Sequence, residues 1–459
     1  MLLQFYYNRN SRDGEGRENM KKFPLDGSVF EEKDKLISLL KNILLFTAAI
    51  GGGAALIYLL YLAANAYAGT GVKFFYPRIF CDFAQVAYCS VCKDAYSPEI
   101  GSSYSALSLF ILAPFALIFK KDLDKIEYVV ESAEWGVPNM QLMSSWRFWV
   151  AFLLFYAICF AALFFLIRRL VGKNTDEGRN IFWIFLLSAP ALYAVIRGNM
   201  ILTSLIFALI FLNWYKDESI WKRELAILSL AVSGVLKLYP LFFCAFLLHD
   251  KKWFGTARMF FYFILLYLLP SLAYNGGISG YLENLFGFAV GGNRLSYLGN
   301  ISFASLIYKI VYYPTKWLGV VLPGWVDILC MALGFLLLLM FAVAAVVTDD
   351  TLKRAILSIC AIALVPPVSY FYVMIFSLIP FMEYFREFEQ HAVAENKQCF
   401  AFCVLLFFYP LYIISLYPLC AIALVFLGIV ACVKIFRQGE FGRYMSDLKK
   451  QFRKEEKRQ

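Results

Sequence analysis

Charged residues and histidine are scarce in this chain. Of its 459 residues, only 17% are Asp, Glu, Lys or Arg, and two are His. A soluble globular domain has about 25% charged residues, so this composition excludes one. The sequence also lacks a phosphate-binding P-loop, a G-x-G-x-x-G segment that opens a helix, and an H-E-x-x-H pair. Nucleotide-driven and zinc-dependent hydrolytic functions therefore have no motif to support them.

Hydrophobic residues make up 61% of the chain and fall into long runs. A membrane-spanning helix needs about 20 apolar residues, so the runs can supply about 10–13 such helices. The sequence therefore predicts an all-α, multi-pass integral membrane protein that uses no cofactor. The net charge of +10 comes from cations at the ends of the apolar runs. That placement indicates membrane topology and not nucleic-acid binding.

The distribution of charge predicts three regions. Residues 1–42 are polar and form a cytoplasmic N-terminal segment, the transmembrane region is 43–436, and 437–459 is a basic cytoplasmic tail. The first apolar run, near 43–63, is interpreted as an uncleaved signal-anchor whose N-terminal side is inside. The segment from 434 to 459 holds nine Lys or Arg against four Asp or Glu, which favours the cytoplasm for the tail.

Two loops are too long to be plain connections between helices. They run over about 65–103 and 274–300, and this topology places both on the outer side. Aromatic residues in the first loop favour short helices lying in the membrane interface. The chain has eleven cysteines, an odd number, so not all can pair. Cys81, Cys89 and Cys92 share the first loop, where a single disulfide is one option and a metal or redox site is less favoured.

Asp82 is the first candidate catalytic residue. It sits among apolar neighbours just beyond the first predicted span, a setting that suits a general base. Sugar transfer from a phosphate leaving group needs one carboxylate, whereas glycoside hydrolysis needs two. The alternative is a solvated loop carboxylate. The two histidines, His249 and His391, lie beside charge clusters and are interpreted as solvated, not catalytic.

Two cations, Lys237 and Arg197, lie within or at the ends of apolar runs. A cation at that depth costs about 2.5–3.5 kcal/mol, so each needs a partner, and a lipid phosphate is a suitable one. The alternative is snorkelling to the interface or pairing with a carboxylate.

Two apolar runs are interrupted and are predicted to form pairs of half-helices. The run 225–249 is broken at Lys237-Leu-Tyr-Pro240, and the run 355–382 is broken at Pro366-Pro367. Broken helices at membrane depth occur where the freed backbone faces protein or a water-filled space. The breaks therefore indicate a functional site.

Polar residues in the second long loop could bind sugar hydroxyls. They are Asn293, Arg294 and Asn300, each next to a glycine or another of the set. The alternative is ordinary turn structure, for which Gly-Asn is typical.

Taken in order, several short motifs resemble glycosyltransferase family 87, a branch of the GT-C superfamily that includes polyprenyl-phosphate-mannose-dependent mannosyltransferases. The motifs that carry the resemblance are Asp82-Phe83 followed by Tyr88 and Tyr96-Ser97-Pro98, Pro114 inside the second span, Arg197-Gly198-Asn199 at a helix junction, Lys237-Leu-Tyr-Pro240, Lys251-Lys252-Trp253, and Pro367 to Tyr372. Two departures stand out. Tyr104-Ser105-Ala106 replaces the family's Tyr-Pro-Pro, and the family's late His is missing, since its position falls near Phe371 or Tyr372.

The resemblance implies a GT-C-like fold and an inverting transfer of mannose or another hexose or pentose. The donor is a polyprenyl-phosphate sugar, the acceptor is a lipid or glycan, and the site faces outward from a membrane, most simply a bacterial plasma membrane. Asp82 would be the base, and no metal would be needed. The expected donor-phosphate ligands are Lys237, Arg197 and Tyr372, and the expected substrate-binding residues are Asn199, Tyr239, Asn293, Arg294 and Asn300.

Two other functions stay open on the sequence. A transporter or flippase of lipid-linked sugars would favour intramembrane carboxylates and an internal repeat. The apolar runs hold almost no Asp or Glu, and no repeat is visible. A polysaccharide polymerase or ligase would favour outer loops rich in Arg and His, and His is scarce here.

Overall fold

The computed structural model describes most of the predicted transmembrane region. The described residues are 80–126, 142–171, 175–290, 295–297, 299–366, 368–386 and 417–456, with scattered positions between 46 and 64. The chain divides into the units Met1–Phe46 and Thr47–Gln459, and the helices and the site belong to the second unit. The predicted cytoplasmic segment 1–42, and also Asn293, Arg294 and His391, lie outside the described residues.

The fold is all-α, as the composition predicts. About 80% of the structure is helical, and no strand occurs in the ranges given above. The helices are α1 Cys81–Val91, α2 Ala106–Ile118, α3 Lys120–Leu123, α4 Trp146–Val171, α5 Thr175–Leu186, α6 Ala189–Arg197, α7 Ile201–Trp214, α8 Ile220–Leu236, α9 Cys244–His249, α10 Trp253–Leu268, α11 Gly277–Val290, α12 Phe303–Trp317, α13 Trp325–Val347, α14 Thr351–Leu364, α15 Leu378–Arg386, α16 Tyr417–Arg437 and α17 Glu440–Glu456.

Several of these helices can cross a membrane. Four are long and apolar enough within the described part: Trp146–Val171, Trp253–Ala273, Trp325–Val347 and Leu419–Arg437. A fifth is possible if the bent pair Gly178–Leu186 and Ala189–Arg197, which meets at 53°, counts as one span. These helices and the shorter apolar ones between them support a multi-pass membrane protein. The count of 10–13 spans stays a prediction.

Both predicted helix breaks are confirmed. Helix α8 ends at Leu236, and Lys237 is extended (φ −150°, ψ 124°). A 3₁₀ helix, Tyr239–Phe243, then leads into α9. Helix α14 likewise ends at Leu364, and the chain resumes as another 3₁₀ helix, Phe371–Ser377. Because proline lacks an N–H and fixes φ, each break falls where the helical hydrogen bonds cannot continue.

The first long loop contains a short helix, α1, that packs into the protein. The aromatic segment 74–76, on which the interfacial helix was predicted, lies outside the described residues. Six residues of α1 are buried. Phe83 is surrounded by aromatic rings from α4 and the end of α2, with ring centroids 5.3 to 6.3 Å away. Edge and offset aromatic contacts of this kind add to the burial of apolar area, so α1 is held firmly where it enters the bundle.

The second long loop is more ordered than its glycine content suggested, because it contains α11. Gly276 and Gly280 lie so close to the backbone of Tyr96 that a Cβ at either position would fall 2.6 or 2.5 Å from its carbonyl oxygen. The side chain of Asn284 also donates to that oxygen, at 3.3 Å. These two glycines allow the start of α11 to pack closely against Tyr96. Interpreting the glycines only as turn residues does not predict this packing.

Candidate active site

Asp82 lies in the first turn of α1, and the start of that helix is joined to the end of α6. Phe80, with φ of 53°, donates its backbone N–H to the carbonyl oxygen of Ile196 at 2.7 Å. Asp82 is only 5% exposed. The interpretation of Asp82 as a solvated loop carboxylate is therefore wrong.

Gly198 makes this junction possible. It ends α6 in the left-handed region, with φ of 69°, which glycine adopts without strain. A Cβ at this position would lie 2.8 Å from the Cβ of Phe83 and 3.2 Å from the Cα of Phe80. The absence of a side chain lets α1 approach, and the residues on either side of Gly198 then reach Asp82.

Both carboxylate oxygens of Asp82 accept hydrogen bonds. Arg197 donates from Nη2 to Oδ1 at 2.8 Å, and Asn199 donates from Nδ2 to Oδ2 at 2.5 Å. The Cys81 thiol also faces Oδ1, at 3.3 Å. The oxygen of the Asn199 side chain is taken up by the N–H of Ile201, so the amide is fixed with its NH₂ toward the carboxylate.

Lys237 lies between the two halves of its broken helix, half-buried. Its Nζ is 5.3 Å from the ring centroid of Tyr104 and 5.9 Å from that of Tyr372, distances typical of cation–π contacts. Among the described residues it has no hydrogen bond or ion pair. Asp82 and Arg197 are both near enough to act on it electrostatically. The structure thus brings both predicted cations to one carboxylate.

Donor groups beside this cluster are buried without partners. Neither Nε of Arg197 nor the hydroxyl of Tyr239 has a hydrogen-bond partner in the described part of the chain. Buried donors are almost always satisfied in native proteins, and the exceptions call for an explanation. An anion or a sugar hydroxyl bound at this cluster would give these donors a partner.

Tyrosine rings surround the cations. Tyr372 is stacked on Tyr193, with centroids 6.0 Å apart, and lies 5.6 Å from Tyr370. The guanidinium of Arg197 lies 5.8 Å from the Tyr370 ring centroid. Tyr372 was predicted as a donor-phosphate ligand, and Tyr370 belongs to the same 367–372 motif that pointed to it. Tyr193 was not predicted.

Tyr104 was noticed in the sequence only as part of a departure from the family pattern. In the structure it lies over Lys237. Its carbonyl oxygen accepts from the Tyr96 hydroxyl at 2.9 Å, so the first long loop holds it in place.

Asn300 has a different setting from the other predicted substrate ligands. It is 1% exposed, and its side-chain oxygen accepts from the N–H groups of Ser302 and Ser369, both at 3.0 Å. It also forms a β-bridge with Tyr370. These contacts join two chain segments, so Asn300 holds the segment that carries Tyr370.

Among the described residues, the remaining predicted side chains form no second chemical centre. No group of three His, Cys, Asp or Glu that could hold a metal occurs in the residues that the structure places. Cys81, Cys89 and Cys92 form no disulfide with any described residue. His249 was interpreted as solvated but is half-buried, with Nδ1 2.8 Å from the carbonyl oxygen of Val346. It lies at the end of α9, away from Asp82 along the chain.

The described part of the chain is an all-α bundle with apolar helices of membrane length, and its broken helices meet at a buried ionic cluster. These features define a multi-pass membrane protein. The chain belongs to glycosyltransferase family 87, whose family model matches residues 104–369, more than half of its length. The matched region contains Tyr104, Arg197, Asn199 and Lys237, while Asp82 precedes it. No curated protein and no solved structure matches the chain. The protein is therefore a membrane glycosyltransferase.

Proposed function

We propose that the protein transfers a sugar from a polyprenyl-phosphate donor to a hydroxyl group of a lipid or glycan acceptor, with Asp82 as general base. The observation that carries the proposal is the cluster of one buried carboxylate with two cations, Arg197 and Lys237. Family membership supplies the reaction class. The cluster suggests how a phosphate-linked donor would be held.

Lys237 and Arg197 are suited to bind the donor phosphate. Lys237 has no anionic partner in hydrogen-bonding contact within the described ranges, and a bare cation in an apolar setting is costly. The planar guanidinium of Arg197 can hold an anion with several N–H groups at once, and its Nε is unused. Tyr239, with its unpartnered hydroxyl, can donate to the phosphate or to the sugar.

Donor binding would also release the base. In the free protein Oδ1 of Asp82 accepts from the Arg197 guanidinium and Oδ2 accepts from Asn199. Each oxygen keeps a second lone pair, but the contact with Arg197 leaves Oδ1 less open to an acceptor hydroxyl. A phosphate competes for Arg197 and draws it from Oδ1. Asn199, fixed by Ile201, keeps hold of Oδ2 and preserves the orientation of the carboxylate. With Arg197 drawn away, Oδ1 of Asp82 would be open to the acceptor hydroxyl, whose proton it would accept.

The chemical step is one direct displacement. The acceptor oxygen attacks the anomeric carbon and forms the new glycosidic bond, while the bond from that carbon to the phosphate oxygen breaks. The acceptor's proton passes to Asp82, and polyprenyl phosphate leaves with the bond's electron pair. Lys237 and Arg197 stabilise the charge that develops on the leaving oxygen. A single attack from the opposite face inverts the anomeric configuration.

Charge along α8 supports a site that faces outward. The helix has 17 residues and is therefore about 25 Å long. Lys222 and Arg223 lie at its start, and Lys237 follows its end. Lys252 donates to the carbonyl oxygen of Tyr215, which adds another cation at the starting end. Since Lys and Arg favour the cytoplasmic side, this charge distribution favours the outer end of α8 for the Asp82 cluster.

The test uses the full chain in lipid nanodiscs with a radiolabelled polyprenyl-phosphate mannose, and the corresponding glucose donor as a second probe. A membrane lipid extract serves as acceptor. Wild type should release polyprenyl phosphate and give a product of inverted configuration, whereas Asp82→Asn should bind donor but transfer almost none. Substantial transfer by Asp82→Asn, or a product that retains configuration, would refute the role of Asp82.

A further inference from the structure

Lys309 is a buried cation outside the Asp82 cluster. It lies in α12, is 6% exposed, and donates from Nζ to the backbone carbonyl oxygen of Asn300 at 2.7 Å. Burying an ammonium group costs several kcal/mol or more unless it is well bonded. A neutral residue at this position would avoid that cost, so packing alone does not explain a lysine here.

Asn300 also bonds to a distant part of the chain. Its side-chain oxygen accepts from the N–H of Ser369, 69 residues away, at 3.0 Å. In return the N–H of Ile301 donates to the carbonyl oxygen of Ser369 at 2.8 Å. Together with the bridge between Asn300 and Tyr370, these bonds fix the backbone just before the 3₁₀ helix.

The segment fixed in this way carries the rings that lie against both cations of the cluster. Tyr370 contacts the guanidinium of Arg197 at 5.8 Å, and Tyr372 contacts the ammonium of Lys237 at 5.9 Å. The chain before Ser369 is a broken helix with Pro366. Helical hydrogen bonds therefore cannot hold this segment, and Asn300 provides the bonds that the break removes.

We propose that Lys309 and Asn300 form a latch that positions Tyr370 and Tyr372 against Arg197 and Lys237 and so sets the geometry of the donor-phosphate site. Both are positioning residues, since neither lies in the Asp82 cluster. This inference rests on the proposed function. The inference gives Asn300 a positioning role, where the sequence analysis expected it to bind sugar. It also gives a role to the buried charge of Lys309.

The first measurement tests the latch without reference to activity. Hydrogen–deuterium exchange is followed in nanodiscs for the amides of Ser369 and Ile301. Lys309→Met and Asn300→Leu should speed their exchange, whereas Asn300→Asp, which keeps an acceptor oxygen for Ser369, should do so far less. Lys316→Met is the matched control, since Lys316 is an exposed lysine of the same helix. Asn300→Ala is a second way to break the latch if Lys309→Met does not fold.

The second measurement asks whether the latch serves the donor. With polyprenyl-phosphate mannose as probe, Lys309→Met and Asn300→Leu should lower kcat/KM for the donor by about 10- to 100-fold, the effect expected of a misplacement of about 1 Å. The KM for acceptor should not change. Lys309→Arg should recover most of the loss, and Lys316→Met should behave as wild type.

Three outcomes would overturn the inference. Unchanged exchange in Lys309→Met and Asn300→Leu would show that the latch does not hold Ser369. Faster exchange with unchanged donor kinetics, while Arg197→Lys does impair donor use, would make the latch structural only and leave the proposed function standing. If Arg197→Lys and Lys237→Ala also leave donor kinetics unchanged, the proposed phosphate site fails and the latch's role fails with it.

Discussion

Removing Arg197 should destabilise the fold through the carboxylate that it leaves behind. The side chains of Arg197 and Asp82 are 14% and 7% exposed, and their contact is 2.8 Å. In Arg197→Met the carboxylate stays buried without its cation. Breaking a buried ion pair by removing one partner costs about 3–5 kcal/mol. Lys237 is close enough to compensate in part, so we expect a value near 3 kcal/mol.

A double-mutant cycle separates this effect from loss of packing. In Asp82→Asn, the new NH₂ group must face a donor whichever way it points, because Arg197 lies on one side and Asn199 on the other. Asn199 cannot rotate without losing its bond to Ile201. That variant should therefore lose about 1–3 kcal/mol by itself.

The assay is unfolding of the full chain in detergent, read for both single variants and the double variant. In Asp82→Asn with Arg197→Met the buried charge is gone, so its total destabilisation should be smaller than the sum of the two single effects by about 2 kcal/mol or more. Strictly additive effects, or an Arg197→Met variant as stable as wild type, would refute a buried ion pair at this position.

Other perturbations test the remaining parts of the site. Lys237→Ala should raise the donor KM about tenfold or more. Its free energy of unfolding should stay unchanged or increase, because a lysine at this depth costs about 2.5–3.5 kcal/mol to insert. An equal rise in donor KM in Lys222→Ala, at the other end of α8, would contradict this role. Gly198→Ala should destabilise the fold by about 1–3 kcal/mol or more, because φ is 69° at this position and an added Cβ would lie 2.8 Å from the Cβ of Phe83. Wild-type thermal stability of this variant would disprove the packing. Treatment with EDTA should leave transfer intact, and a loss that Mg²⁺ or Mn²⁺ restores would disprove the metal-free mechanism.

The sequence by itself determined the class of fold and several of the site's residues. Apolar runs of membrane length, interrupted at Lys237-Leu-Tyr-Pro240 and Pro366-Pro367, fix an all-α membrane bundle with two broken helices, because proline and buried polar groups constrain the backbone locally. Asp82, Arg197 and Lys237 could be singled out one at a time, since an ionisable group in an apolar run is costly wherever it lies.

Only the tertiary structure decided which of these residues meet. Arg197 and Asp82 are 115 residues apart, and their contact depends on Gly198 admitting Phe83, a steric fact that no local pattern expresses. The same holds for Asn300, which sequence alone assigned to sugar binding or to a turn and which in the fold bonds to Ser369. Contacts between distant segments follow from how helices pack, so charge, spacing and turn propensity, which are properties of neighbouring residues, cannot specify them.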